Sequence, residues 1–300
     1  MGGWEPGARR GGRAGPGSSW DPLLLHPGWE VLVELGVATG AKAEADPRRA
    51  GVLQQAVTEH ILGLADRAGY GAALIDAADA TVTTWPQFAH LVRAAGRGLS
   101  RRGLQDCDAA GVFVQDAVSL AVAVHAVRAA GAVAVPVHPA ATVADAAARL
   151  KVSRARLLIT SAGLAELAVQ AAERSLVRQV FTFGQAAGTT PFASLLEATE
   201  HGPRHIGTDP GDGAGLGPSD GDAHRSWLTR GDVVIAGPPC GDPDAYTALL
   251  DLALAAGATI VAAPPGRVTA AVRCYQGTAA VVPGGTAVPG LPAGRIFTVG

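Results

Sequence analysis

Histidines and aspartates are the side chains of this sequence that could bind a metal ion. His201 and His205 stand four residues apart, the spacing of two ligands on one turn of a helix. Gly202 and Pro203 lie between them and oppose helix formation, so the two imidazoles are not predicted to share a helix face. Four nearby aspartates do not have the spacing of an EF-hand calcium loop; they are Asp209, Asp212, Asp220 and Asp222. The sequence therefore predicts no metal ligands and a solvated acidic segment.

Binding of nucleotide phosphates usually needs a glycine-rich loop and a cation, and lysine is scarce here. The only lysines are Lys42 and Lys151, and neither follows a glycine, which excludes a Walker A loop. Residues 211–216 come near the G-x-G-x-x-G pattern, but Leu216 stands where its last glycine belongs. Residues 187–191 (Ala-Gly-Thr-Thr-Pro) look like a phosphate loop without its Lys-Gly. Neither a G-x-S-x-G nor an H-E-x-x-H motif occurs. No catalytic residue is predicted, and cofactor-binding residues stay unknown.

For three further side chains, a structural role has to be compared with a functional one. Cys240 follows two prolines just past a predicted strand, where α/β proteins bind ligands, but a small apolar filler is the expected role. His138 also lies at a strand end and is expected to be a surface residue. His125 lies inside an apolar helix, where a buried imidazole is expected to hydrogen-bond within the core.

Composition narrows the class of protein. The 300 residues are 48% hydrophobic and 17% charged, enough for one large domain or two modest ones. A net charge of −2 gives no sign of nucleic-acid binding. The three cysteines are far apart, without a C-x-x-C pair, which disfavours a disulfide framework and a zinc knuckle. The most apolar stretch, 117–137, is interrupted by charged and helix-breaking residues and is not predicted to span a membrane. A cytoplasmic protein is expected, since no secretory signal is evident.

The order of predicted elements indicates an α/β fold. Residues 1–50 are predicted to form a disordered leader rich in Gly, Pro and Arg. Helical and strand patterns then alternate over 51–200, a flexible Gly/Asp linker follows at 201–231, and a second, shorter α/β subdomain occupies 232–300. Short connections between alternating strands and helices predict predominantly parallel sheets with crossover helices.

Several helix starts carry capping signals. Thr84 and Gln87 stand three residues apart, as in a capping box, before a helical pattern that runs to Arg101. Asp116 is placed to cap a helix over 117–130 whose residues are apolar on almost every side, which predicts a buried helix. Thr142 is the expected cap of the next helix.

Short strings in a characteristic order carry a family resemblance. They are residues 73–76 (Ala-Leu-Ile-Asp), 84–88 (Thr-Trp-Pro-Gln-Phe), 103–104 (Gly-Leu), 129–139 (Ala-Ala-Gly-Ala-Val-Ala-Val-Pro-Val-His-Pro), 157–160 (Leu-Leu-Ile-Thr), 232–235 (Asp-Val-Val-Ile) and 257–261 (Gly-Ala-Thr-Ile-Val). Over about residues 52–300, their order and spacing resemble the N-terminal part of the adenylate-forming superfamily. That superfamily includes acyl-CoA synthetases, fatty acyl-AMP ligases and the adenylation domains of peptide synthetases.

The resemblance implies ATP-dependent activation of a carboxylic acid to an acyl-adenylate, followed by thioester formation. ATP with magnesium and CoA would be its cofactors only if that activity survives. The family's phosphate loop, rich in Ser, Thr and Gly and ending in Pro-Lys-Gly, would lie within 201–231, but this segment contains no lysine. In the family, the residues for adenine, ribose and the lid follow a strand like 295–299, and here Gly300 follows it. A histidine is common in the family near the position of Cys240.

These features favour a pseudoenzyme of the AMP-dependent ligase type that is incompetent alone and acts as a binding or regulatory partner. An acyl or carboxylate ligand and a protein partner covering the C-terminal edge are the expected contacts. Two alternatives stay open at this point. The chain could be an acyl-CoA or acyl-AMP ligase fragment completed by a second chain, or an unrelated small-molecule-binding α/β protein.

Overall fold

The computed structural model of the protein describes residues 47–197 and 228–299. Helices and strands alternate along these residues. The helices are α1 (Pro47–Ala65), α2 (Trp85–Arg101), α3 (Ala117–Ala129), α4 (Val143–Val152), α5 (Ala165–Glu173), α6 (Pro243–Ala255) and α7 (Val268–Cys274). The strands are β1 (Ala72–Asp76), β2 (Thr81–Thr84), β3 (Ala109–Phe113), β4 (Val133–Pro136), β5 (Ala155–Ser161), β6 (Gln179–Phe183), β7 (Thr190–Pro191), β8 (Val233–Ala236), β9 (Thr259–Ala262), β10 (Ala279–Pro283) and β11 (Ile296–Val299). Short 3-10 helices lie at Ala162–Leu164, Phe192–Leu195 and Ala293–Arg295.

The strands form two sheets. The larger sheet has the order β11-β10-β8-β9-β1-β2, and the smaller sheet has the order β4-β3-β5-β6-β7. Neighbouring strands are parallel throughout, apart from the antiparallel pair of β1 and β2. The predicted α/β fold with predominantly parallel sheets and crossover helices is confirmed.

Strand pairing does not follow the linear division into a 51–200 subdomain and a 232–300 subdomain. β1 pairs with β9, with Leu74 opposite Ile260, so the first two strands of the chain belong to the larger sheet. Thr259 Oγ1 also donates to Ala72 O at 2.8 Å. The reason is physical: a hydrophobic pattern reports which face of a strand is buried, and the neighbouring strand is selected by packing of the whole fold.

Most of the predicted leader and linker lies outside the described residues. Of residues 1–50, the structure describes 47–50, which form the first turn of α1. Of residues 201–231, it describes 228–231, where Leu228 is buried and Thr229 hydrogen-bonds to Asp232 through its Oγ1 at 2.8 Å. Disorder and flexibility of these two segments stay predictions.

The helix starts use the predicted caps. Thr84 N donates to Gln87 Oε1 at 2.9 Å and Gln87 N donates to Thr84 Oγ1 at 3.4 Å, which confirms the capping box of α2. Ser119 N donates to Asp116 at 2.7 Å at the start of α3. Each cap satisfies amide groups that the first turn of a helix leaves without a partner.

The largest hydrophobic cluster lies between the two sheets, around α3. This helix is buried along almost its whole length, as its apolar sequence predicts, and it packs against α1, α2 and α6. Smaller clusters fill the space between the smaller sheet and α4 and α5, and between the larger sheet and α7. The central position of α3 means that any polar group on it must find a partner inside the core.

Candidate functional site

The loop after β8 is held in one conformation by a buried tyrosine and a helix cap. Tyr246 of α6 is fully buried, and its hydroxyl donates to Gly237 O at 2.5 Å. Burial raises the pKa of Tyr246 well above its usual value, so the phenol stays protonated and remains a donor. Asp242 accepts hydrogen bonds from the amides of Asp244 and Ala245 at 2.9 and 2.8 Å. This loop lies at the carboxyl edge of the larger sheet, where parallel α/β sheets bind ligands.

Cys240 lies in this loop as a half-buried thiol. It packs against the central hydrophobic cluster, in agreement with the predicted filler role. Burial raises the pKa of Cys240 to about 11, so the thiol stays protonated near neutral pH. A protonated thiol is a weak nucleophile, which disfavours covalent chemistry at this position.

The side chain of Arg149, in the last turn of α4, reaches the same edge, where two of its three guanidinium nitrogens are bonded. Its Nη2 donates to Asp244 Oδ2 at 2.6 Å, and its Nε donates to Pro136 O at 2.7 Å. These contacts tie α4 and the end of β4 to the first turn of α6. Desolvation raises the pKa of Asp244, and the charge of Arg149 opposes this shift. The pair therefore joins α4 to α6, with part of the guanidinium still exposed.

Hydroxyl groups near the strand ends are also bonded within the protein. Thr160 Oγ1 donates to Phe113 O at 2.9 Å, and Ser161 Oγ accepts from Gln115 N at 3.0 Å. In the stretch that looks like a phosphate loop, Thr189 Oγ1 donates to Ala186 O at 2.8 Å and Thr190 Oγ1 accepts from Gln179 at 3.1 Å. Thr190 is part of β7, so this stretch is built as the edge of a sheet.

Lys151 follows Arg149 by two residues, and no described hydrogen bond or ion pair joins it to the edge where ligands are expected. It occupies the last turn of α4, and β5 begins shortly after it at Ala155. A crossover helix runs antiparallel to the strands that it connects, so its last turn lies at the amino edge of the sheet. Lys42 lies outside the described residues. Within the described part of the chain, therefore, no lysine lies at the carboxyl edge.

A cleft of about 530 Å³ lies elsewhere, between the end of α1 and α2. Asp66, Tyr70, His90 and Arg93 are among its lining residues. Arg93 binds Asp66 through both of its terminal nitrogens, at 2.9 and 2.7 Å. This ion pair satisfies the charges of the two residues.

A buried ionic cluster joins the helices between the two sheets. Arg128 Nη1 donates to Asp251 Oδ2 at 2.7 Å, and the two side chains are only 6% and 3% exposed. His125 Nε2 lies 3.4 Å from Asp251 Oδ1, while its Nδ1 lies 2.9 Å from Thr58 Oγ1. The cluster thereby connects α1, α3 and α6. No described group accepts a hydrogen bond from Arg128 Nε.

This cluster was not predicted, although the sequence contains a signal for it. Arg128 and Asp251 are charged residues within two helices that are otherwise strongly apolar. Opposite charges on two buried helices have to pair, because an isolated buried charge is far more costly. The predicted internal hydrogen bond of His125 is observed with Thr58.

Burial also sets the charge of the imidazole. Desolvation, together with the positive charge of Arg128, lowers the pKa of His125 well below 6.5, so this residue is neutral in the fold. Desolvation raises the pKa of Asp251, and Arg128 opposes that shift. The charged residue facing His125 from α6 is Asp251, and from its own helix it is Arg128, while Phe88 of α2 contacts its ring edge-on.

We expect the free energy of unfolding to fall as the pH drops below about 6.5, by about 1.4 kcal/mol for each pH unit. In this window the unfolded chain binds a proton at His125 and the folded chain does not, so acid favours unfolding. The pKa of Asp251 is raised in the fold, so at pH values between 3.8 and that raised value the folded chain binds a proton that the unfolded chain has lost. In that range acid stabilises the fold through Asp251, which opposes the effect of His125. Urea denaturation between pH 7.5 and 5.5 measures the slope.

The matched variant is His125→Gln, which cannot titrate and whose side-chain amide can hydrogen-bond to Thr58 as His125 does. Its stability should depend less on pH than that of the parent over the same range. Equal slopes for the two proteins would contradict a neutral His125.

Sequence comparison identifies the family. The profile of AMP-binding enzymes matches residues 65–212. The chain belongs to the AMP-binding enzyme family. No curated protein matches the sequence significantly. The match reaches into the 201–231 segment, where the phosphate loop of the family was expected, and this segment lies outside the described residues up to position 227.

Solved structures of this family share the fold. A long-chain-fatty-acid-CoA ligase from Archaeoglobus fulgidus has a TM-score of 0.59 at 15% identity, covering 76% of this chain and 51% of that one. Apo MbtA from Mycobacterium smegmatis has a TM-score of 0.59 at 24% identity, covering 76% and 48%. A benzoate CoA ligase from Burkholderia xenovorans has a TM-score of 0.56 at 21% identity, covering 81% and 54%. The chain therefore spans about half the length of these structures, and the likeness concerns the fold alone.

The remaining predicted residues can now be placed. His138 accepts a hydrogen bond from Ala140 N at 3.0 Å within a turn, so its side chain has a local structural role. His201, His205 and the four aspartates of 209–222 lie outside the described residues. Among the residues that are described, no group of three or more His, Cys, Asp or Glu side chains could hold a metal ion. No described helix is long and apolar enough to cross a membrane.

Proposed function

We propose that this member of the AMP-binding enzyme family does not form acyl-adenylates alone and acts as a binding or regulatory protein. The observation that carries the proposal is the position of lysine. Lys151 is the last lysine of the sequence and lies at the amino edge of the smaller sheet, opposite the edge where a nucleotide would bind. Transfer of an adenylyl group requires stabilisation of the charge that develops on the departing pyrophosphate, and a positioned cation normally supplies it.

The charge near the carboxyl edge supports the same proposal. Asp116, Asp242 and Asp244 lie at the first turns of α3 and α6, and Arg149 is engaged by one of them. The bound triphosphate of ATP would meet carboxylates there, and the available guanidinium would have to leave Asp244. A ligand with less negative charge than a triphosphate meets less repulsion at this edge, so the proposed ligand is an acyl group or a carboxylic acid. ATP, magnesium and CoA are not part of the proposal.

The test is acid-dependent exchange of pyrophosphate into ATP, with a panel of aliphatic and aromatic carboxylic acids. We expect no exchange above the rate of a blank purification, while a purified acyl-CoA ligase under the same conditions serves as positive control. Exchange that co-elutes with the protein and scales with its concentration would overturn the proposal. Thermal unfolding with the same acids measures binding, because a ligand stabilises the fold by RT ln(1 + [L]/Kd).

A second candidate is a ligase that needs another polypeptide to complete its site. It is favoured by the share of about 48–54% that this chain covers in the solved structures. The exchange assay separates the two: activity that appears only with a co-purified second chain would support the second candidate. The expected protein partner at the C-terminal edge and a cytoplasmic location also belong to the proposal. The alternative of an unrelated small-molecule-binding protein is excluded by the family match.

A further inference from the structure

The amino edge of the smaller sheet carries a dense group of positive charges. We call it the basic edge and define it by five cations with two aliphatic residues between them. They are Lys151, Arg154, Arg156, Arg174 and Arg178, with Val152 and Leu176. All seven are exposed, and Val152 and Leu176 are 77% and 57% exposed.

Backbone pairing brings the two parts of the basic edge together. The last turns of α4 and α5 lie side by side, because these helices pack against each other and lead into β5 and β6. Leu157 of β5 is opposite Gln179 of β6, and Arg178 N donates to Arg156 O at 2.8 Å. Arg154 and Leu176 each precede the paired residues by the same number of positions. The cations therefore form one surface, although they come from two separate stretches of sequence.

The positive charge of this surface is largely uncompensated. Arg156 pairs with Asp108 at 3.0 Å. None of the other four cations lies within 4.0 Å of an acidic oxygen in the described residues, and Glu173 is the acidic residue next to them in sequence. An unpaired cluster of cations attracts anionic partners from solution.

Helix dipoles explain only part of this pattern. Cations in the last turn or at the C-cap of a helix offset the negative end of its dipole, which accounts for Lys151 and Arg174. Arg156 and Arg178 lie in or before strands and gain nothing from a dipole. Arg154 has a φ of +54°, in the left-handed region that favours glycine after a helix end. Position at a helix end therefore accounts for Lys151 and Arg174, and not for Arg156 and Arg178.

We propose that the basic edge binds the surface of a membrane that contains anionic lipids. A bilayer surface offers delocalised negative charge and accepts single aliphatic side chains, and it needs no pocket on the protein. Both described clefts are lined by residues of the α1–α2 region and by Ala129, and none of their lining residues belongs to the basic edge.

Two other anionic partners fit this surface less well. Residues 149–178 contain no aromatic side chain, and aromatic rings are the usual stacking platforms for single-stranded nucleic acid. Aromatic anchors seated in pockets also dominate the centres of tight protein interfaces. Since α4 and α5 both end at the basic edge, binding there would leave the carboxyl edge of the sheet directed toward the aqueous side.

Co-sedimentation of the full chain with vesicles tests the proposal. We expect binding to vesicles of phosphatidylcholine mixed with phosphatidylglycerol, no binding to phosphatidylcholine alone, and loss of binding as salt shortens the range of charge interactions. Replacing both Arg154 and Arg178 by glutamine should lower the partition coefficient about 25-fold, about fivefold for each cation. Leu176→Ser should weaken it further.

The matched control removes two exposed arginines at the two ends of α7, as Arg267→Gln with Arg273→Gln. It makes the same change in net charge and should bind vesicles nearly as the parent does. Thermal unfolding confirms that every variant folds, which is expected because the replaced side chains are exposed. An equal loss in both double variants would show a response to net charge alone and overturn the assignment. Binding of a DNA duplex or an acidic protein, without binding of anionic vesicles, would also overturn it.

Discussion

Replacing Asp251 by asparagine is expected to lower the free energy of unfolding by about 3–5 kcal/mol. The change keeps the shape of the side chain and removes its charge, so Arg128 stays buried without a counter-ion. Arg128 is 6% exposed on its side chain and donates at 2.7 Å to the carboxylate that is lost. Water cannot replace the carboxylate at this position without opening the contact between α3 and α6. Urea denaturation at pH 7.5 measures the difference.

Two controls make this result specific. Asp66→Asn removes the partner of Arg93 in a pair whose side chains are 57% and 40% exposed, and it should cost less than about 1 kcal/mol. Arg128→Met combined with Asp251→Leu removes both buried charges and should recover most of the stability, because packed apolar residues often replace a buried ion pair without loss. A small effect of Asp251→Asn, similar to that of Asp66→Asn, would show that water reaches the cluster.

Gly98→Ala is expected to destabilise the protein by about 1–3 kcal/mol, or more if the backbone cannot move. Gly98 lies in the last turn of α2, where a methyl group would overlap the backbone carbonyl group of Leu195. The contact belongs to the 3-10 helix Phe192–Leu195, which packs against α2. A backbone clash cannot be relieved by a change of rotamer. The variant should therefore separate this short helix from α2.

Gly63→Ala is the matched control, since Gly63 lies inside α1 and a methyl group there meets nothing within 4 Å. Alanine favours a helix over glycine by about 0.5–1 kcal/mol, so this variant should be more stable than the parent. Opposite signs for the two substitutions are the expected result. If Gly98→Ala were also neutral or stabilising, the close approach of Phe192–Leu195 to α2 would be wrong.

The sequence predicts local structure well where the determinants are local. Thr84 and Gln87 specify the start of α2 through contacts within one turn, and the apolar surface of α3 specifies its burial. The sequence over 162–174 does not show that its first turn is the 3-10 helix Ala162–Leu164 and that α5 begins at Ala165. Such differences at helix ends are small because the hydrogen-bond patterns of the two helix types are similar.

Local sequence patterns do not predict which distant strands or charged side chains pair with each other. The alternation of β1 does not reveal that its partner is β9, and nothing in the neighbourhood of Arg149 indicates that Asp244 will bind it. The geometry of the candidate site was the hardest feature to predict, because its groups come from distant parts of the chain. The scarcity of lysine was visible in the sequence, but only the fold places Lys151 at the amino edge.

The pairing of β1 with β9 has a consequence for synthesis on the ribosome. The smaller sheet is built from residues 109–191 and can pair its strands as they emerge, since its members are close in sequence. β1 emerges earlier but has to wait for Thr259–Ala262 before its parallel neighbour exists. Until then its buried side chains need temporary shelter, either in the nascent core around α2 or on a chaperone. Thus β1 is synthesised first among the strands, but its parallel neighbour is available only after most of the chain has been made.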